Sequence, residues 1–332
     1  MSEPRNDPPP PYQPPSLVHI VDDVPELSRH DENTPGPVLL VSLSGFLDAG
    51  NAAGLAVDHL LASSDGRVVA SFELDGFYDY RARRPPMTFV EDHYEGYTAP
   101  RLVVRAMTDQ RGTPYLLLHG PEPDTHWEAF TRAVRRVVEH FGVRLTVSMG
   151  SVPMAVPHTR PVMVTNHATR SDLLVAENIW QGVIAIPSSA QALLELRMGE
   201  WGLDALGFVA HVPHYVAQVD FPAAAAKLVE CVESVAGLEW SISELNEAAG
   251  RRDAEISEQV SESEEVRAVV AGLEQQYDAI SPVSADGSGL PIAEARDLPT
   301  ADELGAEFER FLADLDPGDP GEQGGDGDAG FR

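Results

Sequence analysis

Hydrophobic and polar positions along this chain switch between two periods, and the switches lay out its elements. Short runs of aliphatic and β-branched residues, bounded by turn formers, predict strands over 38–43, 68–72, 102–106, 115–118, 145–149, 162–165, 182–186 and 206–212. Between several of these runs, apolar positions recur at helical spacing and predict helices over about 49–63, 125–141, 188–198 and 223–236. Strands alternating with helices argue for an α/β fold with a mainly parallel sheet covered on both faces. Asp124 or Thr125 is expected to cap the helix that follows, and Gly142 and Gly237 stand where helices end in glycine.

Beyond Gly250 the pattern changes. The stretch RRDAEISEQVSESEEVRAVVAGLEQQYD keeps helical spacing but is rich in acids, and it predicts a helix over 253–277, with a shorter one over 300–315. The final run DPGDPGEQGGDGDAGFR is expected to be disordered, as is the proline-rich start with its PPPPYQPP. The expected organisation is a disordered arm over 1–16, an α/β domain over 17–250, a helical extension over 251–278 and a largely disordered acidic tail with one short helix over 279–332.

Charge narrows the function classes. Acids number 53 and bases 23, a net charge of −30, and residues 253–332 alone carry 21 acids against 4 bases. Nucleic acid and anionic membrane surfaces both need a positive face, so neither is an expected partner. Lys227 is the single lysine and Cys231 the single cysteine, which excludes an internal disulfide and a multi-cysteine metal site. No apolar run approaches the length of about 18 residues that a membrane span needs, and the start lacks the charge and apolar pattern of a secretory leader. The expected location is the cytoplasm.

The stretch VLLVSLSGFLDAGNAAG, 38–54, poses the first chemical question. Gly45 and Gly50 are spaced as in a phosphate-binding loop, but Asn51 and Ala52 stand where that loop needs a lysine and a hydroxyl. Two readings remain. In one, the glycines only hand a strand to a helix whose first amides Asp48 caps. In the other, Ser44, Gly45, Asp48 and Asn51 line a small-ligand site at the strand ends, with Ser151, His158 and Arg160 beside them. Neither Ser44 nor Ser151 lies in a nucleophile elbow, so no catalytic residue is assigned. His158, His211 and His214 follow strand ends beside prolines, a setting that favours loop locking or interface contact over metal binding; no metal or cofactor is expected. The segment 75–100, DGFYDYRARRPPMTFVEDHYEGYTAP, is dense in Tyr and Arg without helical period. Tyr78, Tyr80, Arg81 and Arg84 there, with His214 and Tyr215, are candidate interface residues.

Taken together, LLVSLSGFLDAGNAAG, FYDYRARRPPMTF, LLLHGPEPDTHWEAF, GSVPMAVPHTRP and VAHVPHYVAQ resemble the proteasome assembly chaperone family, in particular its stand-alone actinobacterial branch. The resemblance spans roughly 38–278. It implies a three-layer αβα sandwich, similar to the nucleoside phosphorylase fold, that self-associates, with proteasome subunits as an implied partner and no catalytic residues. Better-known members engage the proteasome through a C-terminal hydrophobic-tyrosine-any tripeptide, whereas this chain ends GFR. The expected function is that of a non-enzymatic, oligomeric, assembly-chaperone-like protein. The alternative is a phosphorylase- or nucleosidase-like enzyme with a ligand at the strand ends.

Overall fold

A computed structural model describes residues 17–27, 35–45, 47–176, 178 and 183–280. The proline-rich arm, the helix expected over 300–315 and the terminal acidic run lie outside the described residues. In chain order the elements are β1 (Val18–Ile20), β2 (Val38–Ser44), α1 (Ala52–Ser63), β3 (Arg67–Phe72), β4 (Thr88–Val90), β5 (His93–Glu95), β6 (Val103–Thr108) and β7 (Pro114–Pro121). They continue with α2 (Trp127–Phe141), β8 (Leu145–Met154), β9 (Val164–Ala168), α3 (Ala190–Glu200), β10 (Ala205–Pro213), α4 (Pro222–Ala236), α5 (Ser243–Ser261) and α6 (Glu264–Ile280).

Eight strands form one sheet in the order β1-β3-β6-β7-β2-β8-β10-β9. The four central neighbours β7, β2, β8 and β10 run parallel, while β1, β6 and β9 join antiparallel to their neighbours. The central runs are continuous hydrophobes because both faces are covered. Leu40 aligns with Leu117 on one side and Val147 on the other, and these face α1 and α4. Leu39 and Val41 point the opposite way, towards α2 and α3. Two apolar clusters on opposite faces of one sheet make the three-layer sandwich that the resemblance implies.

Each helix meets the sheet through a stripe at its own period. Phe130, Val134, Val137, Val138 and Phe141 form the buried side of α2, and Ala224, Ala225, Leu228, Val229 and Val232 that of α4. Small residues let α4 lie close to α1, which presents Ala52, Ala53 and Ala56. Gly142 and Gly237 end α2 and α4 in the left-handed conformation, each donating its amide back into the last turn. Lys227 on α4 pairs with Glu230 one turn on, at 3.1 Å.

Three sequence expectations need correction. The apolar run at 182–186 forms no strand over its described residues, 183–186; Val183, Ile184 and Ile186 are exposed, and β9 already holds the sheet edge beside β10. The single helix expected over 253–277 is two, α5 and α6, with α5 starting at Ser243 and running through position 250. Ser263 breaks the run and caps α6, its hydroxyl accepting the Val266 amide at 3.3 Å. Neither Asp124 nor Thr125 caps α2, which begins after His126 in the left-handed region; Thr125 donates to the Gly76 carbonyl instead. The Asp124 carboxylate accepts the Asp79 amide at 2.6 Å and pairs with Arg83 at 2.7 Å.

Candidate functional site

Strand β2 ends at Ser44, and the chain then makes a single 3-10 turn, Ala49–Asn51, before α1 begins. Gly50 sits at φ +64°, and a Cβ there would stand 2.7 Å from the Phe221 Cβ, so only glycine fits this close approach. Its amide donates to the Ala217 carbonyl and its carbonyl accepts the Phe221 amide, at 2.7 and 2.8 Å, which ties the turn to the start of α4. Asp48 reaches past the turn. Its two carboxylate oxygens accept the Ala53 and Gly54 amides at 2.8 and 2.9 Å, the free donors at the start of α1. Ser151, buried in β8, lies 2.7 Å from the same carboxylate and 2.8 Å from the Ala49 carbonyl. Asn51 donates to Asp220 at 3.0 Å, and Ser44 donates to the Gly120 carbonyl at 3.3 Å. Beside Gly45 stands Glu122, which was not singled out in the sequence. Its carboxylate accepts the Ala190 amide at the start of α3, at 2.6 Å, and burial pushes its pKa up. The starts of α1 and α3 therefore each meet a carboxyl group supplied by the chain itself.

The PHTRP segment follows β8 and meets the C-terminal helices. Tyr215 accepts the His158 backbone N–H at 2.8 Å, and its hydroxyl oxygen lies 2.7 Å from His158 Nδ1. His158 Nε2 pairs with the Ser257 hydroxyl of α5 at 3.3 Å. Burial holds His158 below its ordinary pKa despite the carboxyls of Asp253 and Glu274, and it pushes Tyr215 up to about 12, so both stay neutral near pH 7. Next to them, Arg160 forks onto Asp278 with two bonds of 2.8 Å and reaches Glu274 at 3.1 Å. Thr159 donates to Glu274, and the Tyr277 hydroxyl donates to the Pro161 carbonyl at 2.9 Å. His214 packs edge-on to Tyr215, and His211 pairs with Thr165 across the β9–β10 ladder. The structure thus joins Asp48 to Ser151, and His158 to Tyr215, as two separate pairs.

The 75–100 excursion touches the end of β2 through Arg83, which donates to the Glu122 carbonyl at 2.6 Å beside Gly45. Tyr78 and Tyr80 meet edge to face, Arg83 lies 4.6 Å over the Tyr78 ring, and Tyr80 donates to Asp75, which pushes its pKa up to about 12. Arg81 and Arg84 are exposed. Beyond them β4 and β5 form a separate two-stranded hairpin.

Several contributors carried no local signal. Asp220, Ser257, Glu274 and Tyr277 act on residues 99 or more positions away. Gln191 of α3 bridges β2 and β8 in the same manner, accepting the Leu43 amide and donating to the Met149 carbonyl. Among the described residues, no group of three or more His, Cys, Asp and Glu is placed to hold a metal ion, and no helix is long and apolar enough to cross a membrane.

Comparison with known proteins adds relatives to this geometry. The model of the PAC2 family matches residues 42–260. A Mycobacterium tuberculosis protein of unknown function is 45% identical over 82% of this chain and 94% of its own, with a TM-score of 0.74. One from Corynebacterium glutamicum, also of unknown function, is 36% identical over 80% of this chain and 97% of its own, at 0.75. A Mycobacterium tuberculosis proteasome-assembly chaperone homologue is 28% identical over 70% of this chain and 99% of its own, at 0.65. No curated protein matches.

Proposed function

Because this chain belongs to the PAC2 family, we propose that it is a non-enzymatic, cytoplasmic assembly factor that works through protein surfaces, associates with itself and acts on proteasome subunits. The family membership bears out the resemblance read from the sequence motifs, and it supports a chaperone-like role. One observation carries the step from family to mode of action: the strand-end rim is occupied from within. In open α/β sheets, ligands enter at the carboxyl ends of parallel strands and use helix N-termini for anions. Here Asp48 takes the α1 amides, and α5 and α6 take His158, Thr159 and Arg160. What stays open is the Tyr- and Arg-rich excursion, whose residue types are those that dominate protein interfaces.

Purified α-type proteasome subunits mixed with the full chain test this reading. Ring formation, followed by native electrophoresis and light scattering, is expected to speed up. Calorimetry with phosphate, ribose and nucleobases is expected to give no saturable heat. Unchanged ring formation together with saturable nucleoside or phosphate binding would overturn the proposal in favour of a phosphorylase- or nucleosidase-like enzyme.

A further inference from the structure

One margin of the large sheet is closed by a single side chain. β9 is the last strand beside β10, and its other edge has no strand neighbour among the described residues. Bonds from the Thr169 amide to the Ala205 carbonyl and from the His211 amide to the Met163 carbonyl fix its phase. Thr165 and His167 therefore turn their backbone groups towards β10, while Val164, Asn166 and Ala168 turn theirs outward. At Asn166 both outward groups are taken by one residue. Its N–H donates to Asn178 Oδ1 at 2.9 Å, and its carbonyl accepts from Asn178 Nδ2 at 2.7 Å. A side-chain amide carries the same acceptor and donor as a peptide unit. Asn178 thus stands where the backbone of a further strand would stand, for one residue only.

This closure is incomplete in two respects. Val164 and Ala168, on either side of Asn166 in the outward set, make no outward hydrogen bond among the described residues. Asn166 gives its side-chain amide to Asn178 Oδ1 at 3.0 Å and to the Ala176 carbonyl at 3.1 Å, yet its own Oδ1 is buried with no donor. The strand itself is firmly seated, because Val164 and Ala168 pack against the apolar cluster beneath α1 and α4. A rigid edge with unpaired groups at two-residue spacing is a template for an extended chain. Side chains around it say which kind. Leu174 and Val175 before Asn178 are 38% and 52% exposed, and Ile184 and Ile186 after it are 63% and 68% exposed. The nearby cations are already used, Arg170 by Asp172 and Asp204 and the His167 ring by Glu195. What remains open is backbone and apolar surface.

We propose that β9 is a strand-addition site for an extended, uncharged and apolar segment of another protein, and that Asn178 is the placeholder such a segment displaces. The incoming backbone bonds to Val164, Asn166 and Ala168 in turn, which replaces the two bonds of the Asn178 amide and adds those that Val164 and Ala168 lack. Main-chain bonds supply the affinity, and β-branched or aliphatic side chains on the incoming strand suit the uncharged surroundings. The placeholder makes the edge selective, because a ligand must offer more than one peptide unit to outcompete it. Until then the edge is guarded against chance pairing. The inference goes beyond the proteasome-directed reading: it needs an extended segment and no particular owner of it.

The test titrates the full chain with a blocked hexapeptide of alternating valine and threonine, read by calorimetry and by the NMR signals of the Val164 and Ala168 amides. Saturable binding is expected, with both amides shifted and slowed in exchange. Asn178→Ala is expected to bind the peptide about tenfold more tightly than wild type, because the placeholder no longer competes. Asn178→Asp keeps the acceptor and loses the donor, and is expected between the two. A fully N-methylated peptide, which keeps the side chains but has no backbone donors, is expected not to bind. No saturable binding by Asn178→Ala, equal affinity for variant and wild type, binding of the methylated peptide, or silent Val164 and Ala168 amides would overturn the inference. So would an Asn178→Ala chain that gains mass in light scattering without taking the peptide, since the edge would then belong to a second copy. The ring-formation assay reads the assembly role separately, so one can fail while the other stands.

Discussion

Leu39, Leu40 and Val41 in β2 are sealed from solvent on both sides of the sheet, whereas α6 buries Val270 and Tyr277 and is otherwise fastened by polar contacts. The first region is specified by area removed from water, which needs no charge pairing and is blind to the identity of individual partners. The second depends on a guanidinium, two carboxylates and two hydroxyls meeting in one geometry, with Arg160 still partly open to solvent. Exposed ion pairs contribute little to global stability and are screened by salt. The difference teaches that the clasp sets where the hairpin of helices lies, while the sandwich sets whether the chain folds.

The largest expected effect lies in the core. Phe130 on α2 is fully buried and meets Phe72 and Phe77, so Phe130→Ala is expected to cost about 3–5 kcal/mol in denaturant unfolding. A loss below about 1 kcal/mol would mean that α2 is not part of the cooperative unit. Next comes the plug at the start of α1: Asp48→Ala leaves two helix amides short of a partner, while Ser151 keeps the Ala49 carbonyl, and is expected to cost about 1–2 kcal/mol. Unchanged stability would contradict its capping role.

Arg160→Ala is expected to leave the main unfolding transition where it is. Hydrogen exchange should instead quicken several-fold in α6 alone, and high salt should reproduce the change in wild type. Equal protection of α6 in wild type and variant would show that apolar contacts hold it after all. The smallest effect comes from His158, which faces the Tyr215 and Ser257 hydroxyls and the carboxyls of Asp253 and Glu274. Burial depresses its folded pKa below 6.5, so the unfolded chain binds the proton first and stability falls as pH drops below about 6.5. Exchange at α5 should rise over that window, and His158→Gln should remove this part of the pH dependence. A wild-type profile already flat there would refute the assignment.

Periodicity made the sandwich legible. The apolar runs of β2, β7, β8 and β10 and the stripes of α2 and α4 are local signals, and Gly142 and Gly237 end their helices as the sequence indicated. The run at 183–186 has the same apolar character, but the sequence could not show that β9 takes the edge. The clasp was hidden for a different reason. Arg160 and Asp278 are 118 positions apart, and a helix full of acids looks like any solvated helix until its partner is placed. His158 and Arg160 were singled out by composition and setting; Ser257 and Glu274, which receive them, carried no mark of their own.

Lys227 has a practical consequence. As the only lysine, standing on α4 and half open beside Glu230, it gives every side-chain amine reagent a single address on the α1–α4 face of the sheet. A dye, cross-linker or enzymatic tag directed at lysine side chains attaches at most once per chain, so counting attached reporters counts copies in an assembly. Lys227→Arg keeps the charge opposite Glu230 and yields a chain that lysine-linked tagging cannot mark at all.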